Sequence, residues 1–221
     1  MGTAPHRASS PVPTPTRIFL GDDHGIIRDA VRLLLGRTPD LSLVGEAGNG
    51  RDLVAGVLRT QPDVVVTDLA MPELNGIDAL RQLRARGYGG VVVVLSSHDE
   101  RRQVAEALAA GASAYVHKDD TFESLLEAIR AARRGERWLS PRVAGTSAGT
   151  AAPALASVLT LREREVLQLL AEGHHTKAVA DRLAVSGKAI EYHRLNLFAK
   201  LKAKSVVDLV RIAVKEGLVE L

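Results

Sequence analysis

The sequence predicts an α/β unit, a doubly wound (βα)5 fold with a five-stranded parallel sheet, followed by a small all-α unit of four helices. Three observations carry this. Short β-branched runs without polar alternation, such as Val64-Val65-Val66 and Val91 to Leu95, read as strands buried on both faces. They alternate with stretches of helical periodicity over roughly the first 120 residues after the amino-terminal segment. From Leu159 onward the apolar spacing is helical throughout.

The elements follow in order. Residues 1–16 are rich in Pro, Ser, Thr and Ala and read as a disordered tail. Strands are expected at Ile18 to Gly21, Leu43 to Ala47, Val64 to Val66, Val91 to Leu95 and Ala114 to Val116. Helices are expected at 26–35, 52–59, 77–86, 101–110 and 121–134. The first unit therefore spans 17–134. Residues 135–157 include the run AGTSAGTAAPA and read as a linker, with Trp138 packing at the end of the first unit. In 158–221, Thr160 and Glu163 form a capping box for a helix that Gly173 ends. Thr176 is positioned to cap a second helix, Ser186 a third running to about Leu201, and Ser205 a fourth that Gly217 closes. A short turn joins the second and third, which makes a helix-turn-helix.

Composition bounds the chemistry. The 221 residues contain no cysteine, which excludes disulfides and cysteine-based metal or redox sites and fits a reducing cytoplasm. No apolar run approaches the roughly 20 residues that span a bilayer, and the first residues lack a signal-peptide core, so a cytoplasmic location is expected. The net charge of +3 is carried by the second unit: 155–221 holds 11 Lys+Arg against 8 Asp+Glu, while 1–154 is balanced at 18 each. A polyanion is a plausible partner for that end.

Polar residues collect where the strands end. The first strand leads into Asp22 and Asp23, the third into Asp68, the fourth into Ser96 and the fifth into Lys118, with Tyr115 three residues earlier. In a flavodoxin-like strand order these strands are neighbours, and their carboxyl ends form a crevice suited to ligands. Three carboxylates there repel one another unless a cation sits among them, and a hard oxygen-seeking ion such as Mg²⁺ fits. A lysine and a hydroxyl beside it suit an incoming phosphoryl oxygen. After Asp68, the loop Met71-Pro-Glu-Leu-Asn-Gly76 turns the chain.

The DD pair, TDLAMPELNG, LSSHD and YVHKDD together resemble a two-component response-regulator receiver domain. The resemblance implies that Asp68 is the phosphoacceptor and Asp23 a direct Mg²⁺ ligand. It makes Asp22 a ligand through water, the Ala70 carbonyl a further ligand, Lys118 the partner of the phosphoryl group, Ser96 the hydroxyl that moves toward it, and Tyr115 the switch aromatic. An aspartate is needed because its carboxylate gives a labile acyl phosphate. The new charge is expected to act on the face made by the fourth and fifth strand-helix units.

The strings LTLREREVLQLLAEG, TKAVADRLAVS and KAIEYHRLNLFAKL resemble a LuxR-type DNA-binding domain, and the whole chain is similar to response regulators of the NarL/FixJ family. That implies that 188–200 enters the major groove, with Glu191, Tyr192 and Leu195 at base edges. Lys177, Lys188, Arg194, Asn196 and Lys200 become candidates for phosphate contact. It further implies a homodimer through the last helix, operator DNA with two half-sites, and a sensor histidine kinase as phosphodonor. The chain departs from the family pattern at Gly187, Ala189, Thr176 and Val206, where proline, threonine, asparagine and arginine are usual, which implies modest non-specific affinity. Two other readings stand beside this one. The first unit could serve as a phosphorylation-independent docking or dimerisation module, against which the full acidic set argues. A phosphotransfer enzyme would need a second acid near Asp68, where Ala70 stands. His174-His175 resembles a metal pair but reads as a solvated turn, because neighbouring helical residues face apart and no third ligand is evident.

Overall fold

The computed structural model describes residues 14–144 and 155–219, without the side chain of residue 156. The expected tail at 1–13, most of the AGTSAGTAAPA linker run and the last two residues lie outside the described residues. The first unit is a parallel sheet in the order β2-β1-β3-β4-β5-β6. Its strands are β1 (Thr16–Gly21), β2 (Leu41–Ala47), β3 (Val64–Thr67), β4 (Val91–Ser96), β5 (Ala114–His117) and β6 (Trp138–Leu139). Between them run α1 (Gly25–Leu35), α2 (Gly50–Thr60), α3 (Gly76–Ala85), α4 (Arg101–Ala109) and α5 (Phe122–Arg133).

Strand alternation divides the core into two layers. Val64, Val66, Ile18 and Leu20 pack with Val31 and Leu35 of α1 and Leu125 and Ile129 of α5. Val65, Phe19, Val92 and Val94 face the other way, toward Leu53 of α2, Leu80 of α3 and Val104 of α4. Both faces of β3 are buried, which is why its sequence has no polar alternation.

The sheet has six strands, not the five expected. β6 is two residues long, too short to carry a period. It forms because β5 otherwise leaves an open edge and because Trp138 and Leu139 fall on opposite faces of the sheet, one in each core layer. A short α6 (Pro141–Ala144) follows, with Ser140 and Val143 buried. The segment read as linker from residue 135 is therefore packed on the sheet through residue 144.

The second unit holds the four expected helices, α8 (Leu161–Ala171), α9 (Thr176–Leu183), α10 (Gly187–Leu201) and α11 (Val206–Lys215), preceded by an extra turn, α7 (Leu155–Val158), too short to be read from periodicity. The Thr160–Glu163 capping box forms as expected, and Ser205 with Asp208 makes a second one on α11. The N-cap of α9 is His175, so Thr176 is the first helical residue and its hydroxyl is free for another use. Leu167, Leu169, Val179, Ile190, Leu197 and Leu209 form this unit's core.

Candidate phosphoryl and DNA sites

The strand ends bring the acidic residues together. Ligand atoms of Asp22, Asp23, His24 and Asp68 all lie within 4.8 Å of one another. Asp68 is buried; its Oδ1 accepts from the Leu69 amide at 2.6 Å and its Oδ2 from Lys118 Nζ at 2.6 Å. The same ammonium lies 2.8 Å from Asp22 Oδ2. Burial pushes the Asp68 carboxyl up to about 6, against the opposing pull of Lys118. Lys118 is itself raised: burial works to lower it, and the Asp68 and Asp22 charges prevail.

Asp22 Oδ2 and Asp23 Oδ1 are buried oxygens without a hydrogen bond of acceptable geometry, close only to Lys118 and the His24 ring. Buried carboxylate oxygens left in that state suit a hard cation. His24, at the N-cap of α1, joins the cluster without any signal in the sequence; its ring Nδ1 lies 2.7 Å from Asp23 and its side chain is exposed. Ser96 and Tyr115 are both fully buried, and the Tyr115 hydroxyl donates to the His98 carbonyl at 2.7 Å. Burial raises the Tyr115 phenol well above its ordinary range.

Gly76 shows why the loop after Asp68 ends as it does. A Cβ there would stand 2.0 Å from the Asp68 carbonyl oxygen, so close packing alone requires glycine at this first residue of α3. Asn75 caps α3.

This loop is also where the second unit docks. Gln168 of α8 accepts from the Asn75 amide at 2.8 Å and donates to the Met71 carbonyl at 2.8 Å. Glu172 accepts from the Glu73 amide at 2.9 Å, and burial raises its carboxyl. Arg164 holds buried Asp78 of α3 through Nε at 2.9 and 3.0 Å and donates Nη1 to the Leu159 carbonyl at 2.7 Å. Arg102 of α4 pairs with Glu216 beyond α11. Together Asp23, Ala70, Met71, Glu172, Leu218 and Val219 line a cavity of about 110 Å³, so the second unit forms one wall of the space beside the acidic pocket. The responsive face expected from the receiver resemblance is that of the fourth and fifth strand-helix units. The contacts to the second unit lie mainly on the β3–α3 loop and α3. No sequence signal marked Arg164, Gln168 and Glu172, because polar residues on an amphipathic helix read as solvated.

On α10, Lys188, Glu191, Tyr192 and Leu195 form an exposed face, with Tyr192 63% and Leu195 68% exposed. Lys177 at the start of α9 is exposed, and Asn196 partly so. Arg194 is drawn to Glu191 and Thr176, and Lys200 Nζ is bound to Glu163 at 2.7 Å. The receiver side touches α8 and the end of α11 and leaves this face uncovered. His174 and His175 gather no further ligand among the described residues; His174 lies 3.6 Å from Glu172.

Comparison with known proteins agrees with this architecture. Residues 18–130, about half the chain, match the response regulator receiver domain, and residues 157–213 match the luxR family of bacterial regulatory proteins. The chain is 36% identical over 200 residues to the nitrate/nitrite response regulator protein NarL of Escherichia coli K12, covering 88% of this chain and 93% of that one. It is 37% identical over 193 residues to the transcriptional regulatory protein UhpA of Salmonella typhimurium LT2, covering 87% and 94%. Among solved structures, the response regulator ChrA of a heme-sensing two-component system superposes with a TM-score of 0.52 at 30% identity, covering 93% and 99%. The fold and site define a two-component response regulator with a LuxR-type DNA-binding domain. The chain belongs to the NarL/FixJ family, whose members are DNA-binding transcriptional regulators.

Proposed function

We propose that Asp68 is the phosphoacceptor of a Mg²⁺-dependent receiver that controls the DNA-binding domain through the β3–α3 loop. The observation that carries this is the Lys118 ammonium bridging Asp22 and Asp68 at 2.8 and 2.6 Å, in a cluster whose buried Asp22 Oδ2 and Asp23 Oδ1 have no hydrogen bond of acceptable geometry. Asp22, Asp23, Asp68 and the Ala70 carbonyl would hold the ion. When bound, Mg²⁺ offsets the negative charge of these carboxylates and of the incoming phosphoryl oxygens.

The donor is the phosphohistidine of a sensor kinase. The Asp68 carboxylate attacks phosphorus, the phosphorus–nitrogen bond breaks, and the imidazole leaves with the electron pair and takes up a proton. An acyl phosphate remains on Asp68. Lys118 then exchanges its carboxylate partner for a phosphoryl oxygen, and Ser96 donates to another. Tyr115, held inward by the His98 carbonyl, reports the position of the β4–α4 loop.

Because Gln168 and Glu172 grip the loop that follows Asp68, a rearrangement at Asp68 loosens the domain contact. Control is by position, since the recognition face on α10 is already exposed. While the second unit is held against α3, the placement of its α11, whose Val206 and Val207 are exposed, is fixed by the receiver; meeting two half-sites one helical turn apart asks for a placement set by the DNA. Release permits the homodimer and operator binding.

The test is intact mass after incubation with Mg²⁺ and a small phosphodonor. One phosphoryl adduct is expected in wild type and none in Asp68→Asn. Retention of the adduct in the variant would move the acceptor elsewhere.

A further inference from the structure

We propose that Glu191 reads a cytosine in the major groove, with Thr176 and Arg194 as its positioning residues. This rests on α10 being the DNA-reading helix.

Glu191 is the only acidic residue on α10, and it stands on the exposed face with Lys188, Tyr192 and Leu195. A bare carboxylate brought between two phosphate backbones is repelled by both. Here it is compensated. Glu191 Oε1 accepts from the Thr176 hydroxyl at 2.9 Å and from Arg194 Nη1 at 3.0 Å. The Thr176 oxygen accepts in turn from the same Nη1 at 3.0 Å, which closes a three-membered ring of hydrogen bonds. Arg194 is partly buried: its Nε is covered and has no hydrogen-bond partner, while its Nη1 reaches Glu191 and Thr176. Thr176 is available because the N-cap of α9 falls on His175.

The ring locks one carboxylate oxygen and cancels the charge of the pair. Oε2 makes no hydrogen bond among the described residues, and the side chain is 54% exposed. An oxygen that can only accept reads only donors, and the major-groove donors are the amino groups of cytosine and adenine. The adenine amino group has the N7 acceptor beside it, which repels a carboxylate, whereas the cytosine amino group is flanked by a carbon-bound hydrogen. The arrangement therefore selects cytosine.

The experiment is binding-site selection from a random duplex pool by the full-length protein, with and without a small phosphodonor, for wild type, Glu191→Gln and Thr176→Val. Wild type should enrich one cytosine position per half-site. In Glu191→Gln, discrimination for that cytosine should fall about tenfold and adenine should rise, since an amide pairs with adenine. Thr176→Val should weaken the same discrimination several-fold, with other positions and the salt dependence unchanged. An unchanged preference in Glu191→Gln overturns the reading of cytosine, and an unchanged one in Thr176→Val overturns the positioning role. If wild type enriches no sequence under either condition, the DNA-reading assignment of α10 fails, and this inference with it. Thermal melts and circular dichroism of each variant confirm that it is folded.

Discussion

At Asp68, burial and charge oppose each other, and the balance depends on pH. Its carboxyl is raised to about 6 from 3.8, so burial favours the neutral acid. Relative to an ordinary carboxylate, the resulting stability is fully present below about 3.8 and is lost as pH rises through about 6. A bound cation reverses this by favouring the ionised form. The rise in melting temperature caused by Mg²⁺ should therefore be larger at about pH 7.5 than at about pH 5; equal shifts in a fluorescence melt would contradict the proposed ligand set. Gly76 makes a second residue-scale prediction. Gly76→Ala drives a methyl into the Asp68 carbonyl and should cost about 1–3 kcal/mol in urea unfolding, with reduced phosphoryl uptake. Gly89→Ala, where nothing lies within 4 Å, is the control and should be near neutral.

Among the elements, α8 has two jobs. Its apolar side, including Val166, Leu167 and Leu169, holds the core of the second unit, while Arg164, Gln168 and Glu172 grip the receiver. The helix is buried along nearly its whole length although its sequence is rich in charge. Gln168→Leu keeps the volume but leaves the Asn75 amide and Met71 carbonyl without their buried partner, at about 1–3 kcal/mol for each. The closed arrangement should weaken, and the unphosphorylated variant should bind operator DNA roughly tenfold more tightly than wild type, since about 1.4 kcal/mol shifts an equilibrium tenfold. No gain in a fluorescence anisotropy titration would show that the clasp does not restrain DNA binding.

For the whole molecule, basic and acidic surfaces are unevenly shared, with the positive excess on the second unit. Operator binding should weaken steeply with salt, each phosphate contact adding about one unit to the slope of log affinity against log salt concentration. Flat affinity between low and high salt would exclude a phosphate-dominated interface. Of the proposed phosphate contacts, Lys177 and Lys188 are exposed and make no ion pair among the described residues. Lys200 spends its charge on the α8 capping box, and Arg194 on Glu191, so the slope should be smaller than the four Lys and Arg candidates would produce together.

The alternation of valine runs with helical periods, the capping boxes at Thr160 and the acidic residues at strand ends were legible in the sequence because each is local. A strand buried on both faces shows itself in a few consecutive residues, and a doubly wound sheet brings its strand ends to one edge whatever the loops do. What the tertiary structure alone decided is pairwise and distant. β6 exists because β5 had an edge to fill. His24 joined the acidic cluster by its place at a helix start. Arg194 and Lys200 turned from free cations into bound partners. Gln168 and Glu172 became the receiver's handhold, although neither differs in sequence from an ordinary surface residue. Such roles arise from which polar groups are buried against each other, and a one-dimensional pattern records the polarity of a residue but not the partner that satisfies it.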